Sequence, residues 1–354
     1  MKRRIAVMIL VPDYYKRFKC IADRCADSCC IGWEIDVDAR TLEKYRSLGA
    51  LGDEILGNIE LSADPPYIKL DECGRCPNLD ERGLCRIISR LGEGYIPDIC
   101  KNHPRYYNEL CGFTECSVGL ACPEAARIIL GLREKPKLEF LNNISTENAK
   151  IRENQDFSPT LKRPSEEKRH KSPTSIENRL LSLRDEIFSF VFDKRNSVEG
   201  IISGLFVFDK HLSDAVFDMQ AGIDTELSRV CEADFAELSP LIGALGEAIS
   251  KIELLSEDYR RGFAEPDAEI IRDRLLRLGD GSRALIYYFV HRYFLAELEW
   301  LDVESRLSLA AMLLLLLLLS SDEISEHSAV AFSKNVEYST ENVDILLDII
   351  SQKA

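Results

Sequence analysis

Apolar positions in the second half of the chain recur at helical spacing. Leu180, Leu183, Ile187 and Val191 fall on one face, as do Leu285, Tyr288, Phe289 and Leu295 with Arg292 among them. Leu309 to Leu319 reads LAAMLLLLLLL, an unbroken run of eleven residues. A helix needs about 20 residues to cross a bilayer, so this run predicts a fully buried core helix and no membrane span. Asp322, Glu323 and Glu326 follow it rather than Lys or Arg, against an interfacial anchor. Residues 342–350 predict a last amphipathic helix, capped by Ser339 or Thr340, with Glu341 favourable in its first turn. The stretch 142–178 is polar and charged and carries Pro159, Pro164 and Pro173, too little apolar surface to order itself. Before it no period holds for long, turn residues are frequent and strand signals are weak. The pattern predicts a mainly α protein: an irregular Cys-rich metal or cluster module over 1–140, a linker or mobile loop over 141–178, and an all-helical region over 179–354.

Composition sharpens the first of these regions. Eleven of the twelve cysteines lie between Cys20 and Cys122; the other is Cys231. Such density suits a disulfide-stapled secreted domain or a thiolate metal site. The opening Met1-Lys2-Arg3-Arg4 is followed by a short apolar run, Ile5 to Val11, without a small-residue cleavage site. A chain this long also buries a core without staples. A reducing cytoplasm is therefore expected, where clustered thiols are ligands more often than disulfides. The formal net charge of −15 argues against nucleic-acid or anionic-membrane binding, which needs a basic face.

Spacing leaves the metal open. The first group is Cys20-x4-Cys25-x3-Cys29-Cys30. The second is Cys73-x2-Cys76-Pro77, then Cys85, Cys100, Cys111, Cys116 and Cys122-Pro123. Adjacent cysteines point apart on a regular backbone, so Cys29 and Cys30 need a turn to face one ion. Structural zinc usually takes two short knuckles, and only one CxxC is present. A ferredoxin-type cluster tolerates looser spacing and often has Pro after Cys, as at Cys76 and Cys122. Iron–sulphur, as 4Fe-4S, is favoured over zinc, with zinc as the alternative. Asp80-Glu81-Arg82-Gly83 is a turn signal that would fold Cys85 back toward Cys76. Neither group alone shows a complete four-thiolate spacing, so ligands are expected from both, closing a loop of about 45 residues.

One family matches this pattern. An aromatic before Cys20, then Cys25, Cys29-Cys30, Gly32-Trp33, Asp38, Cys76-Pro-x-Leu, Gly83-Leu84-Cys85, Gly92-Glu93, Cys100, Pro104-Arg105 and Cys122-Pro123-Glu124-Ala125-Ala126-Arg127 resemble the flagellin lysine N-methylase family. More distantly they resemble small Cys-rich zinc- or iron-chelating domains. The resemblance covers about residues 12–130 and is thin beyond. It implies methyl transfer from S-adenosylmethionine to lysines of flagellin, or of another Lys-bearing protein, by a cytoplasmic enzyme with a metal or iron–sulphur centre. Cys20, Cys25, Cys29, Cys30, Cys76, Cys85, Cys100 and Cys122 fall on the family's cysteine positions, Cys116 less securely, while Cys73 and Cys111 are extras. Asn78, Lys101 and His103 depart from the family's usual residues.

Other residues carry a bland and a sharp reading. Trp33 is core packing or a wall over the cofactor. Arg105 is an ion-pair residue or a grip on the donor's carboxylate. Tyr14 and Tyr15 pack, or line a lysine channel and help deprotonation. Asp36 and Asp38 cap the helix starting near Ala39, or orient a lysine. His103 is a surface imidazole or a metal ligand, and His291 is a satisfied core histidine. Gly49-x2-Gly52, Gly92-x-Gly94 and Gly279-x-Gly281 follow no apolar strand and read as turns or caps, not a dinucleotide loop. Two other functions stay open: a non-catalytic metal-binding or redox adaptor whose helical half binds a partner, and an oxidoreductase passing electrons through the cluster.

Overall fold

The structure is a computed structural model, described here for residues 8–25, 27–32, 35–110, 112–141 and 174–353. Most of the expected linker therefore lies outside the described residues, as do Trp33 and Cys111. Helices dominate, as the apolar pattern predicts. The first helix after the polar stretch begins at Ser175, inside the segment read as linker. Thr174 caps it, accepting from Glu177 N while the Glu177 carboxylate accepts from Thr174 N.

The weak strand signals understate the sheets. One sheet holds four strands: β1 (Ile9–Pro12), β5 (Arg105–Leu110), β6 (Phe113–Val118) and β7 (Leu138–Phe140), in the order β5-β6-β1-β7. β5 and β6 form an antiparallel hairpin with Tyr107 opposite Cys116. β1 runs parallel to β6, with Leu10 opposite Glu115, and antiparallel to β7, with Leu10 opposite Phe140. The apolar run near the chain start is, from Ile9 on, an interior strand with Ile9 and Val11 buried. A smaller sheet joins β2 (Ile35–Asp36), β4 (Tyr67–Ile68) and β3 (Ile59–Glu60), all antiparallel.

Apolar burial falls into separate cores. The main one centres on the helix Arg306–Ser320, whose residues Leu307 to Leu319 are all buried. It packs against helices Val198–Gln220, Ser239–Lys251 and Asp280–Tyr293. This core continues into Tyr14, Leu110, Val118, Leu120 and helix α5 (Pro123–Leu130). A buried ion pair bolts sheet to helices: Arg184 Nη1 donates to Glu115 Oε2 at 2.7 Å. Burial alone would raise the Glu115 pKa, but the Arg184 charge outweighs it and holds it low. A second core lies wholly between residues 30 and 100: Ile35, Val37, Leu42, Tyr45, Ile55, Ile59, Ile68, Leu79, Ile87 and Ile96. Cys76 is part of it, and Cys30, Cys85 and Cys100 pack against it.

Candidate functional site: a thiol-lined core

Local turns bring the cysteines together. The Asp80 side chain accepts from Arg82 N and Leu84 N, both at 2.9 Å, and Gly83 takes a positive φ of 76° that an L side chain resists. The reversal pairs Leu79 with Cys85 and carries Cys85 back beside Cys76, as the turn signal predicts. Cys76 N donates to the Cys30 carbonyl at 2.8 Å, tying the first cysteine group to the second. Cys29 and Cys30 have their sulphurs 3.9 Å apart within a turn.

Cys100 is placed by a helix-end network. Asp38 caps helix α1 (Ala39–Arg46), accepting from Thr41 N at 2.9 Å. Its other oxygen accepts from Asp98 N at 3.0 Å, at the start of helix Asp98–Asn102 that carries Cys100. Arg40 reaches Asp98 at 2.7 Å. Asp38 is thus a structural cap, which was the bland reading, and it also sets the thiol's position.

The thiols act on one another. Burial first, and then the charges of Cys29, Cys85 and Cys76, push the Cys100 thiol up. Burial also raises Cys76, with Cys85 and Cys29 adding to it, and raises Cys85, with Cys29 adding. Between Cys29 and Cys30 the shared hydrogen bond dominates, lowering Cys29 to about 7 and raising Cys30. A second group is looser: burial pushes Cys122 up to about 11, with Cys25 and Cys20 contributing. So Cys29, Cys30, Cys76, Cys85 and Cys100 share one neighbourhood, and Cys20, Cys25 and Cys122 another beside it. Exposed Cys73 and Cys231 belong to neither.

Metal chemistry can be tested on this donor set. Thiols that resist ionisation through burial, and then through one another's charge, are what a soft cation relieves. Tyr45 adds a second sign. It is fully buried, its hydroxyl has no hydrogen-bond partner, and Cys100, Cys85 and Cys76 act on it electrostatically. An orphaned buried donor beside thiols lacks only an acceptor. Asn78 Nδ2, a departure from the family pattern, lies 3.8 Å from Cys76 Sγ as a donor to it. The residues therefore fit a thiolate-held centre in type. Among the described residues no group of three or more His, Cys, Asp or Glu is already arranged to hold an ion.

The remaining candidates lie elsewhere. Tyr14 is fully buried, with its hydroxyl 2.9 Å from Ser117 Oγ. Tyr15 is half-buried; Arg105 Nε donates to its hydroxyl at 2.8 Å, and the guanidinium lies 5.6 Å from its ring centre. Arg105 is therefore occupied by Tyr15 and by the Lys101 carbonyl at 3.3 Å. His103 lies by Tyr338, and burial lowers its pKa to about 4. His291 is buried with Tyr106 OH 2.9 Å from Nδ1, but Nε2 has no hydrogen-bond partner, so it is only half satisfied. Gly92 and Gly279 sit at helix ends with positive φ, as turn or cap glycines should. A shallow cleft of about 710 Å³, lined by Arg133, Lys135, Phe192, Asp193, Lys194 and Asp280 among others, includes none of these site residues.

Comparison with known proteins supplies the rest. Over 133 residues, 35% of this chain, the sequence is 32% identical to the flagellar biosynthetic protein FliU of Salmonella muenchen and covers 78% of it. The chain belongs to the flagellin lysine N-methylase family. Family members of similar identity include the lysine-N-methylases of Salmonella typhimurium and Salmonella choleraesuis, each 32% identical over 133 residues. That match spans 33% of each lysine-N-methylase's length. No family model and no solved structure matches the chain.

Proposed function

We propose that the protein is a protein-lysine N-methyltransferase that takes its methyl group from S-adenosylmethionine and acts on flagellin. The observation that carries this reading is the identity shared with lysine-N-methylases. The flagellar name of the FliU relative supports flagellin as acceptor. An acidic chain of net charge −15 suits a Lys-bearing partner. In the reaction a neutral lysine amine attacks the methyl carbon of the sulfonium, the carbon–sulphur bond breaks, and the thioether leaves with the electron pair. The acceptor must first lose its proton, which a desolvating or positively charged site favours.

The same proposal places an iron–sulphur centre, with zinc as the alternative, on the thiols around the second core. Cys30, Cys76, Cys85 and Cys100 are the primary set, because they pack on one core. Cys29 stands beside them, and Cys20, Cys25 and Cys122 form the outer group. A bound centre would supply a fixed scaffold of net negative charge. Around it, Asp38 holds the Cys100 helix, Asn78 donates to Cys76 and Tyr45 offers its hydroxyl.

Two measurements test this reading. Anaerobically purified protein, incubated with methyl-labelled S-adenosylmethionine and flagellin, should label flagellin lysines; no transfer would overturn the methyltransferase assignment. Metal and acid-labile sulphide content should fall in Cys85→Ser and Cys100→Ser and stay unchanged in Cys231→Ser. The competing reading is a metal-binding adaptor whose helical half binds a partner. It predicts partner binding with no S-adenosylmethionine binding by calorimetry.

A further inference from the structure

A short segment of the C-terminal helical region reaches the turn that carries Cys29 and Cys30. After helix Glu326–Phe332 the backbone widens into a single π-helical turn, Ser333–Glu337. Such turns are rare and frequently mark functional sites. This one presents its two charged side chains to different partners. Glu337 is buried, and its Oε1 accepts from Tyr288 OH at 3.0 Å and Tyr293 OH at 3.1 Å. Lys334 reaches the cysteine turn instead. Its ammonium is 2.7 Å from Asp27 Oδ2 and donates to the Ser28 carbonyl at 3.1 Å. The Lys334 side chain is only 13% exposed, so the pair is better shielded than an ordinary surface pair.

The turn is wired onward to the cysteines. Asp27 Oδ1 accepts from Ser28 N at 2.7 Å, and Ser28 Oγ accepts from Cys30 N at 3.2 Å. Cys30 in turn is tied to Cys76 through its carbonyl. One ammonium group from the far end of the chain thus fixes the segment bearing Cys29 and Cys30.

We infer that Lys334 is a positioning residue for the thiol centre that acts through its charge: its bonds to Asp27 and to the Ser28 carbonyl hold a cation beside the ligands. This rests on the metal-binding part of the proposed function. The physical reason is charge balance. Four thiolates around a dication leave a net negative site, which a neighbouring cation stabilises and a neighbouring carboxylate opposes.

The experiment uses the full chain, reconstituted anaerobically with ferrous iron and sulphide, or loaded with zinc, and then challenged with a chelator. Lys334→Met should lose its metal about tenfold more readily than the wild type, while Lys334→Arg stays near it. Asp27→Asn leaves the ammonium unopposed and should hold the metal more tightly. Opposite signs for Lys334→Met and Asp27→Asn are the signature of a charge effect. Equal weakening in both would reduce Lys334 to a mechanical tether and overturn the inference, as would no change in either. Should Lys334→Met fail to fold by circular dichroism, Asp27→Asn against Lys334→Arg still decides the sign. A wild type that holds neither iron with sulphide nor zinc removes the metal reading itself. A loaded wild type with an indifferent Lys334→Met removes only the role of Lys334.

Discussion

The two main cores of this molecule are built on opposite terms. Around the helix Arg306–Ser320 the interior is large and apolar, and its buried Arg184 and Arg283 are matched, although the Tyr287 hydroxyl and His291 Nε2 have no hydrogen-bond partner among the described residues. Arg184 answers Glu115, and Arg283 donates to the carbonyls of Val191 and Asp193. The core between residues 30 and 100 is small, and thiols interrupt it. Its Asp98 is matched by Arg40, but the Tyr45 hydroxyl has no hydrogen-bond partner among the described residues, and burial raises the Cys100 and Cys76 thiols, with neighbouring thiols adding to it. A core of that size rarely supplies more than about 3–5 kcal/mol unaided. The lesson is that the large core settles its buried arginines with ion pairs and carbonyls, whereas the small core gathers thiols, the donors on which the proposed centre rests.

The contrast predicts where single changes hurt most. Arg184→Met strands Glu115 in the interior and should cost about 3–5 kcal/mol in urea unfolding. The double change Arg184→Met with Glu115→Leu should recover most of that loss. If Arg184→Met cost less than about 1 kcal/mol, the claim that Arg184 matches the buried Glu115 charge would fail.

A pH series sharpens the same point at the half-satisfied His291. Burial lowers its pKa to about 4, with Glu115 pulling it up and Arg184 pushing it down. The unfolded value is about 6.5, so the unfolded chain binds more protons between the two. Stability from this group is therefore present above about pH 6.5 and lost as pH falls toward 4. The advantage of the wild type over His291→Gln should shrink by about 2–3 kcal/mol between pH 7 and 4. An advantage independent of pH would show that the imidazole is not buried neutral.

The smallest effect belongs to the thiol core. Asp38→Ala removes the cap of helix α1 and the bond to Asp98 N, and should cost about 1 kcal/mol. Because Asp38 also positions Cys100, metal content should fall with it. A stability loss with metal content untouched would separate the cap from the site.

Legibility from sequence followed the range of the interactions. Local signals worked: the apolar run became the central helix, Asp80–Gly83 became a turn, Asp38 a cap, and Ser339 accepts from Asn342 N before the last helix. The four-stranded sheet was missed because β6 is buried on both faces and shows little alternation, and because β1 pairs with residues more than a hundred positions away. Lys334 carried no signal at all, since its partners lie 306 positions earlier and a π-helical turn has no residue signature. The concentration of cysteines in one region was legible; that Cys30, Cys76, Cys85 and Cys100 meet at one core depended on the fold of residues 30–100.

Strand β1 has a consequence in time. Ile9–Pro12 is made early but lies inside the sheet, between β6 and β7, whose pairing residues end at Thr114–Glu115 and Leu138–Phe140. Ribosomes add about 5–20 residues per second, so β1 waits many seconds for both neighbours. Cys20, Cys25, Cys29 and Cys30 emerge during that wait, well before Cys100 and Cys122. Lys334, which pins their turn, is made last of all these groups. The chain therefore carries its first four thiols for several seconds before Cys100 and Cys122 exist, and their turn waits much longer for the pin from Lys334.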